Sequence, residues 1–514
     1  MSAGERLPDT IESISEGLAY WAEHTPDAPA VGTVDGSWLT YGALQQAVAR
    51  AARHLRMLGV RADDRVALSV RDGNEAPVAL LAAIAAGIAV PLNPAATEHE
   101  LTRDLGRLRP KLLVTDAAAD EGRHRVAAAL GIATIPVGEL MVADTDAVPI
   151  ADLPPARPDR IAVILHTSGT TGMPKRIPRN HRSFLAATRA VQHASGLTPD
   201  DVALLGSGVC TNAGLRNTLF ALLTGGSCVI APRLDPARYP DWLAAHRPTW
   251  TYLNATEMNL ILETAGKTGR ATVAGAGSRL RFIRAGTQAM TPGTTERAEQ
   301  FFGAPVFEGY GMSEASNIAK CGPGLEDRRP GSCGRPMGAS VTLRILDAAD
   351  AEVAPGTPGS IVVRGPAVFA GYLDDPEANA AAFLPGGWFR TGDVGYLDED
   401  GFLYLQGRTS EIVNRGGENI APAEIDRVLQ SHPAVAEAAV FGVPDARFGE
   451  DLVAAVVIRP GMRVAPRALR AWMLESLPPS RSPRRIWMVA ALPRTSAGKV
   501  QRGELARRWR EEGR

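Results

Sequence analysis

A short apolar run over residues 161–165 gives way to His166-Thr167-Ser168-Gly169-Thr170-Thr171-Gly172-Met173-Pro174-Lys175. Gly169 and Gly172 let the backbone turn sharply and expose its N–H groups, while Ser168, Thr170 and Thr171 add hydroxyl donors and Lys175 adds a positive charge. Such a stretch is suited to cradling phosphate. Its glycines and lysine do not have the spacing of the common Gly-x4-Gly-Lys-Ser/Thr nucleotide loop, and the lysine follows a proline.

Three further stretches carry groups of matching chemistry. Tyr310-Gly311-Met312-Ser313-Glu314 offers an aromatic ring, a hydroxyl and a carboxylate of the hard-oxygen type that magnesium prefers. Gly387-Trp388-Phe389-Arg390-Thr391-Gly392-Asp393 ends on a carboxylate whose two oxygens suit a vicinal diol, and Gly407-Arg408 follows it. Pro493-Arg494-Thr495-Ser496-Ala497-Gly498-Lys499-Val500 places one lysine near the end of the chain. Ala285-Gly286-Thr287 is a small-residue turn that permits close approach of a flat ring. Taken singly, each has a plainer reading as a packed turn, a surface ion pair or a solubilising charge.

Together, in this order and across essentially the whole chain, these motifs resemble the adenylate-forming superfamily of acyl-CoA synthetases, aryl-CoA ligases, luciferases and stand-alone adenylation enzymes. The stretch Asn414-Arg415-Gly416-Gly417-Glu418-Asn419-Ile420-Ala421-Pro422 is similar to the small-domain pattern of acyl-CoA ligases for small acids, oxalate-CoA ligases included. The resemblance implies ATP and Mg2+ as co-substrate and cofactor. Thr167, Ser168, Gly169, Thr170, Thr171, Gly172 and Lys175 would hold the phosphates, with Thr170 close to the chemistry, and Glu314 would hold Mg2+. Tyr310 and Gly311 with Gly286 and Thr287 would enclose adenine, Ser313 would reach the α-phosphate, and Asp393 and Arg408 would meet the ribose. Lys499 would bridge the acid's carboxylate and the α-phosphate, an electrostatic and orienting role.

The implied reaction converts a small carboxylic acid to an acyl-AMP with release of pyrophosphate, after which a thiol expels AMP. The thiol belongs to coenzyme A or, alternatively, to the phosphopantetheine of an acyl carrier protein; an amine acceptor is a further alternative. Gly417 matches the residue that comes beside the incoming pantetheine when the small domain rotates. Two positions depart from the family. Ser410 stands at the hinge where Asp or Lys is usual, and Thr211 stands where many acyl- and aryl-CoA ligases carry a histidine near the acyl carboxylate. Thr211 and Asn212 are therefore candidates for the acyl pocket, with the alternative that Asn212 only caps the following helix. No acidic residue lies within 206–214 to receive an α-ammonium, which disfavours an amino acid substrate.

The elements that must position these groups follow from hydrophobic periodicity. Strand-like runs at 65–70, 89–92, 112–115, 161–165, 201–205, 227–231, 250–253 and 280–284 alternate with helical patterns at 75–86, 182–193 and 216–223, which predicts an α/β fold with mixed sheets. Residues 10–55 read as largely helical, with an interruption at 38–41. Short β-type runs punctuated by Gly, Pro and Asp mark a β subdomain at about 331–406. A mixed pattern beyond 408 predicts a small α+β section with a core of its own, so the division is 1–408 and 409–514, and the family resemblance implies that this second part is a mobile lid.

The 514-residue length requires more than one core. With 55 basic against 56 acidic residues, no broad field favours nucleic acid or an anionic membrane. The apolar stretch 78–90 is too short to span a bilayer, and the first residues lack a basic region followed by an apolar run. The four cysteines have no metal-type or disulfide-type spacing and fit a cytoplasmic setting as core or pocket-wall residues. Oligomeric state is left open.

Overall fold

The computed structural model describes residues 6–71, 73–116, 121–142, 157–166, 175–231, 233–273, 277–286, 292–322, 328–494 and 500–512. Two sheets carry the large body. The first has the spatial order Ala133–Pro136, Leu112–Thr115, Arg65–Ser69, Ile88–Pro91, Ile161–His166, Arg176–Asn180. Its strands are parallel except the last, which returns antiparallel to Ile161–His166. The second runs Arg335–Pro336, Ser316–Lys320, Val306–Met312, Phe282–Ala285, Trp250–Tyr252, Val202–Leu205, Ser227–Ile230, Pro29–Thr33, Trp38–Thr40, parallel through its middle and antiparallel at both edges.

A helix exposed on one side keeps a polar stripe; Glu75–Ala86 has none. Residues 76–86 are all buried, because this helix is packed between the first sheet and the helix Tyr41–Met57. The resulting core is continuous from one sheet to the other. Strand periodicity divides the second sheet between two cores. Ala203, Leu205, Cys228, Ile230 and Phe282 face the shared core, whereas Leu204, Val229 and Ile283 face a separate one under the helices Tyr239–His246, Ala255–Lys267 and Pro292–Phe302.

Val202–Leu205 has Ser227–Ile230 on one side and Trp250–Tyr252 on the other. The chain reaches the first neighbour through the helix Asn212–Leu223 on one face, and the second through Tyr239–His246 on the opposite face. Crossovers that diverge in this way open a crevice at the carboxyl ends of Val202–Leu205 and Trp250–Tyr252.

The expected β region contains a sheet of Thr342–Leu346, Gly359–Arg364, Trp388–Leu397 and Phe383–Leu384, with Leu403–Arg408 paired to Trp388–Leu397. Beyond it lies another sheet, Glu418–Ile420, Val413–Arg415, Gly449–Ile458 and Val435–Asp445, with Arg485–Met488 parallel to Gly449–Ile458. Alternate residues again serve two cores. Ala438 and Val440 pack toward helices Pro422–Gln430 and Pro466–Leu474, and Ala439 and Phe441 toward helix Arg502–Glu511.

Three local readings change. The region expected to be helical contains the strand Pro29–Thr33, whose Gly32 lies under the Trp38 ring; a Cβ there would sit 2.6 Å from that ring. Helix Glu98–Leu108, closed by a capping box of Thr97 and Glu100, was not anticipated, nor were the helices flanking the separate core. The helix placed at 216–223 starts at Asn212. All four cysteines are free thiols, and Cys228, Cys321 and Cys333 are buried. Among the described residues no helix is long and apolar enough to cross a membrane.

Candidate active site

The strand Val306–Met312 turns back into Ser316–Lys320, and this hairpin supplies most of the site. A Cβ on Gly311 would lie 2.1 Å from the Ser316 carbonyl oxygen, so the turn closes only around glycine. Tyr310 projects from the strand, and Ser313 and Glu314 from the turn. Arg179 fixes that turn from outside: fully buried, it donates from Nη1 to Ser313 O (2.8 Å), from Nη2 to Ala367 O (3.0 Å) and from Nε to Ser183 Oγ (3.1 Å). One side chain thus joins the strand Arg176–Asn180 to the hairpin and to the β region.

Asp393 and Arg408 are cross-strand partners on Trp388–Leu397 and Leu403–Arg408. Arg408 Nε stands 3.1 Å from Asp393 Oδ1, and the Tyr310 hydroxyl donates to Asp393 Oδ2 at 2.5 Å. Burial, then the nearby Asp393 charge, hold the Tyr310 phenol well above its ordinary value, so it stays a donor. Both oxygens expected to meet ribose hydroxyls therefore already carry a protein donor. A ribose would use the lone pairs that remain.

On the other side of the hairpin, Tyr372 donates to Glu314 Oε1 at 3.1 Å, and Lys175 Nζ lies 4.3 Å from the centre of the Tyr372 ring. Tyr372 is placed by Arg176, which donates to Leu373 O (2.9 Å) and pairs with Asp374 (3.1 Å). Burial pushes the Glu314 carboxyl up, against the opposing pull of the Tyr372 hydrogen bond, Arg408 and Lys175. A single buried carboxylate whose charge is disfavoured until a cation arrives fits a magnesium ion that takes its other ligands from phosphate and water. Among the described residues no cluster of three acidic, His or Cys side chains forms an all-protein cage.

Thr211, not Asn212, caps the helix Asn212–Leu223: its Oγ1 accepts from Gly214 N (3.0 Å) and donates to Gly208 O (2.9 Å). Its hydroxyl proton is thereby committed to the backbone. Asn212 instead donates from Nδ2 to Ser313 Oγ, which ties the crevice loop to the hairpin. Gly286 faces Tyr252, whose hydroxyl would lie 3.4 Å from a Cβ at that position. Ser410 sits exposed in the short 3-10 turn Thr409–Glu411 directly after Arg408. Gly417 lies on the exposed hairpin between Val413–Arg415 and Glu418–Ile420, with φ +93° and its N–H on Asn414 Oδ1 at 3.0 Å. Thr167, Ser168, Gly169, Thr170, Thr171, Gly172, Thr287 and Lys499 lie outside the described residues.

The AMP-binding enzyme family matches residues 18–373, and the AMP-binding enzyme C-terminal domain matches residues 424–499. The chain belongs to the AMP-binding enzyme family. An oxalate–CoA ligase of Arabidopsis thaliana is 33% identical over 98% of this chain and 99% of its own. Among solved structures, ATP-bound MatB from Rhodopseudomonas palustris superposes with TM-score 0.89 at 29% identity, covering 97% of this chain and all of its own. The o-succinylbenzoate coenzyme A synthetase of Bacillus subtilis, solved with ATP and magnesium ion, gives TM-score 0.84 at 29% identity over 95% of this chain and 98% of its own. This AMP-binding enzyme is an AMP-forming acid–thiol ligase that uses ATP and Mg2+ to activate a small carboxylic acid.

Tyr372 and Arg179 of this AMP-binding enzyme escaped the sequence reading. Tyr372 carried a weak signal, an aromatic after Gly371 in a stretch rich in turn residues; Arg179 carried none.

Proposed function

We propose that the protein joins a small carboxylic acid to coenzyme A through an acyl-AMP. The observation that carries this reading is the meeting, on one hairpin, of the Tyr310–Asp393–Arg408 set with the Lys175–Tyr372–Glu314 set. The first suits a nucleoside and the second a metal-bound polyphosphate. When bound, Mg2+ would offset charge on the phosphates at Glu314.

In the first step a carboxylate oxygen bonds to the α-phosphorus as the bond to pyrophosphate breaks. Ser313 would hold an α-phosphate oxygen, Lys175 and the 167–172 stretch would hold the outgoing phosphates, and Lys499 would orient the two reactants. In the second step the thiol loses its proton, its sulfur bonds to the acyl carbon, and AMP leaves. Residues 409–514 would turn about Ser410 between the steps, withdrawing Lys499 and bringing Gly417 to the pantetheine. Coenzyme A and ATP are met together in the cytoplasm.

The test is acid-dependent exchange of labelled pyrophosphate into ATP, followed by product masses with coenzyme A and with acyl carrier proteins. Exchange largely lost in Lys499→Ala and an acyl-CoA product support the proposal. Exchange with acyl transfer only to a carrier protein replaces the acceptor. No exchange over a broad acid panel by folded, ATP-binding protein rejects it.

A further inference from the structure

The segment that follows the strand Gly359–Arg364 is fastened to the reaction hairpin at successive points. Ala367 O accepts from Arg179, which also holds Ser313 O. Phe369 N donates to Glu314 O at 2.7 Å. Farther on, the Tyr372 hydroxyl donates to Glu314 Oε1 at 3.1 Å. Glu314 is therefore gripped by this segment at its backbone and again at its carboxylate.

Tyr372 is itself held on every side. One residue takes both of its backbone polar groups: its N–H donates to Asn379 Oδ1 (2.7 Å) and its carbonyl accepts from Asn379 Nδ2 (2.9 Å). Asn379 belongs to the helix Pro376–Ala382. Gly371 has φ +140°, and a Cβ there would come 3.0 Å from Asn379 Oδ1, so a side chain at that position would crowd the pairing. Arg176 secures the other flank through Leu373 O and Asp374. The Tyr372 ring meets Phe369 edge-on, with centroids 4.8 Å apart, and Phe389 in the same way at 6.4 Å.

A residue that only filled this space would need the ring alone. Phe369, Phe383 and Phe389 already form an aromatic cluster, and a further phenylalanine would complete it without the cost of burying a hydroxyl. Here the hydroxyl reaches past the cluster to the carboxylate suited to Mg2+. A phenol donates at neutral pH and an ionised carboxylate only accepts, so the contact restrains how the head of Glu314 can turn. A ligand held in this way has less freedom to lose when a metal arrives, and groups that support metal ligands tune affinity by this means. Lys175 uses the face of the same ring, an attraction that does not need the hydroxyl.

We propose that Tyr372 is a positioning residue for the metal: through its hydroxyl it holds the Glu314 carboxylate in the orientation that receives Mg2+ with ATP. The assignment rests on the adenylation reading of the same site.

The test separates metal from nucleotide. ATP affinity is measured by calorimetry, without acid, in EDTA and again with Mn2+ in place of Mg2+. Tyr372→Phe keeps the ring packing and the face under Lys175, so its affinity for metal-free ATP and its melting temperature should match wild type. Its affinity for Mn-ATP should fall about 10-fold, and half-maximal pyrophosphate exchange should need about 10-fold more Mg2+, as loss of a group supporting a metal ligand does. In a Glu314→Gln background the same substitution should cost Mn-ATP binding nothing further, because the hydroxyl acts through that carboxylate. Asn379→Ala keeps the hydroxyl and loosens the backbone beneath it; it should show the same pattern in weaker form, and it carries the test if Tyr372→Phe does not fold. Equal losses for ATP with and without metal, no loss in either, or a full further loss in the Glu314→Gln background overturns the assignment while the adenylation reading stands. Wild-type protein that binds ATP in neither form overturns both.

Discussion

The Tyr310 hydroxyl donates to Asp393 Oδ2 at 2.5 Å across 83 residues of sequence. A ring expected to serve as a flat wall for adenine therefore also sets the angle of the carboxylate meant for ribose. Tyr310→Phe keeps the ring and removes that hold. A hydrogen bond to a charged acceptor is worth about 1.5–3 kcal/mol, so KM for ATP should rise about 10-fold or more, with the fold intact. An ATP titration monitored by pyrophosphate exchange checks this; an unchanged KM would show that Arg408 alone positions Asp393.

Glu314 couples stability to pH with a definite sign. Burial raises its folded-state pKa, so its contribution to stability is fully present below the unfolded value and is lost as pH rises through the raised one. Glu314→Gln keeps an oxygen for the Tyr372 hydroxyl and cannot ionise. The variant without nucleotide should melt higher than wild type at pH 8 and equally at pH 4, while exchange activity falls about 100-fold or more for want of a metal ligand. Melting curves with and without Mg-ATP at the two pH values decide it.

Thr211 was a candidate for the acyl pocket, yet its hydroxyl is spent on the backbone, on Gly214 N inside the helix and on Gly208 O in the loop before it. Thr211→Ala should cost about 1 kcal/mol of stability, as a lost N-cap does, and Thr211→Ser should restore it. If Thr211 instead acts on the acid, Thr211→Ala will raise KM for the acid without moving the denaturation midpoint.

The parts of the fold legible in the sequence were those fixed by local pattern. Glu75–Ala86 and Leu112–Thr115 fall where the apolar runs put them, because burial on all sides leaves an unbroken apolar run. Pro29–Thr33 was hidden because its side-chain pattern is completed by Trp38 folding over Gly32, a contact that no window of residues displays. The same division holds in the site. Glu314 and Asp393 announce themselves by neighbouring glycines and aromatics. Arg179 looks like an ordinary basic residue until its strand carries it inside, and what it does depends on carbonyls more than 100 residues away, those of Ser313 and Ala367. Thr211 was visible as a departure, but its role as cap needed the helix to begin four residues before the apolar pattern suggested.

In the C-terminal region Asp426 supplies a second pH dependence, with its own window. Its Oδ1 accepts from Val440 N at 2.6 Å, Arg502 hydrogen-bonds its other oxygen, and Arg502 reaches on to Glu411, next to Ser410, at 3.2 Å. Burial outweighs these attractions and pushes the carboxyl up from 3.8 to about 6. A raised carboxyl favours folding while protonated, so its contribution is complete below about pH 4 and disappears as pH rises through about 6, a change on the order of 2–3 kcal/mol. Asp426→Asn cannot ionise and should remove that slope. The difference in melting temperature between variant and wild type should therefore be near zero at pH 4 and grow in the variant's favour up to pH 7. A variant less stable than wild type by a growing margin over the same range would mean that the Arg502 ion pair dominates over desolvation, and that Asp426 is charged throughout.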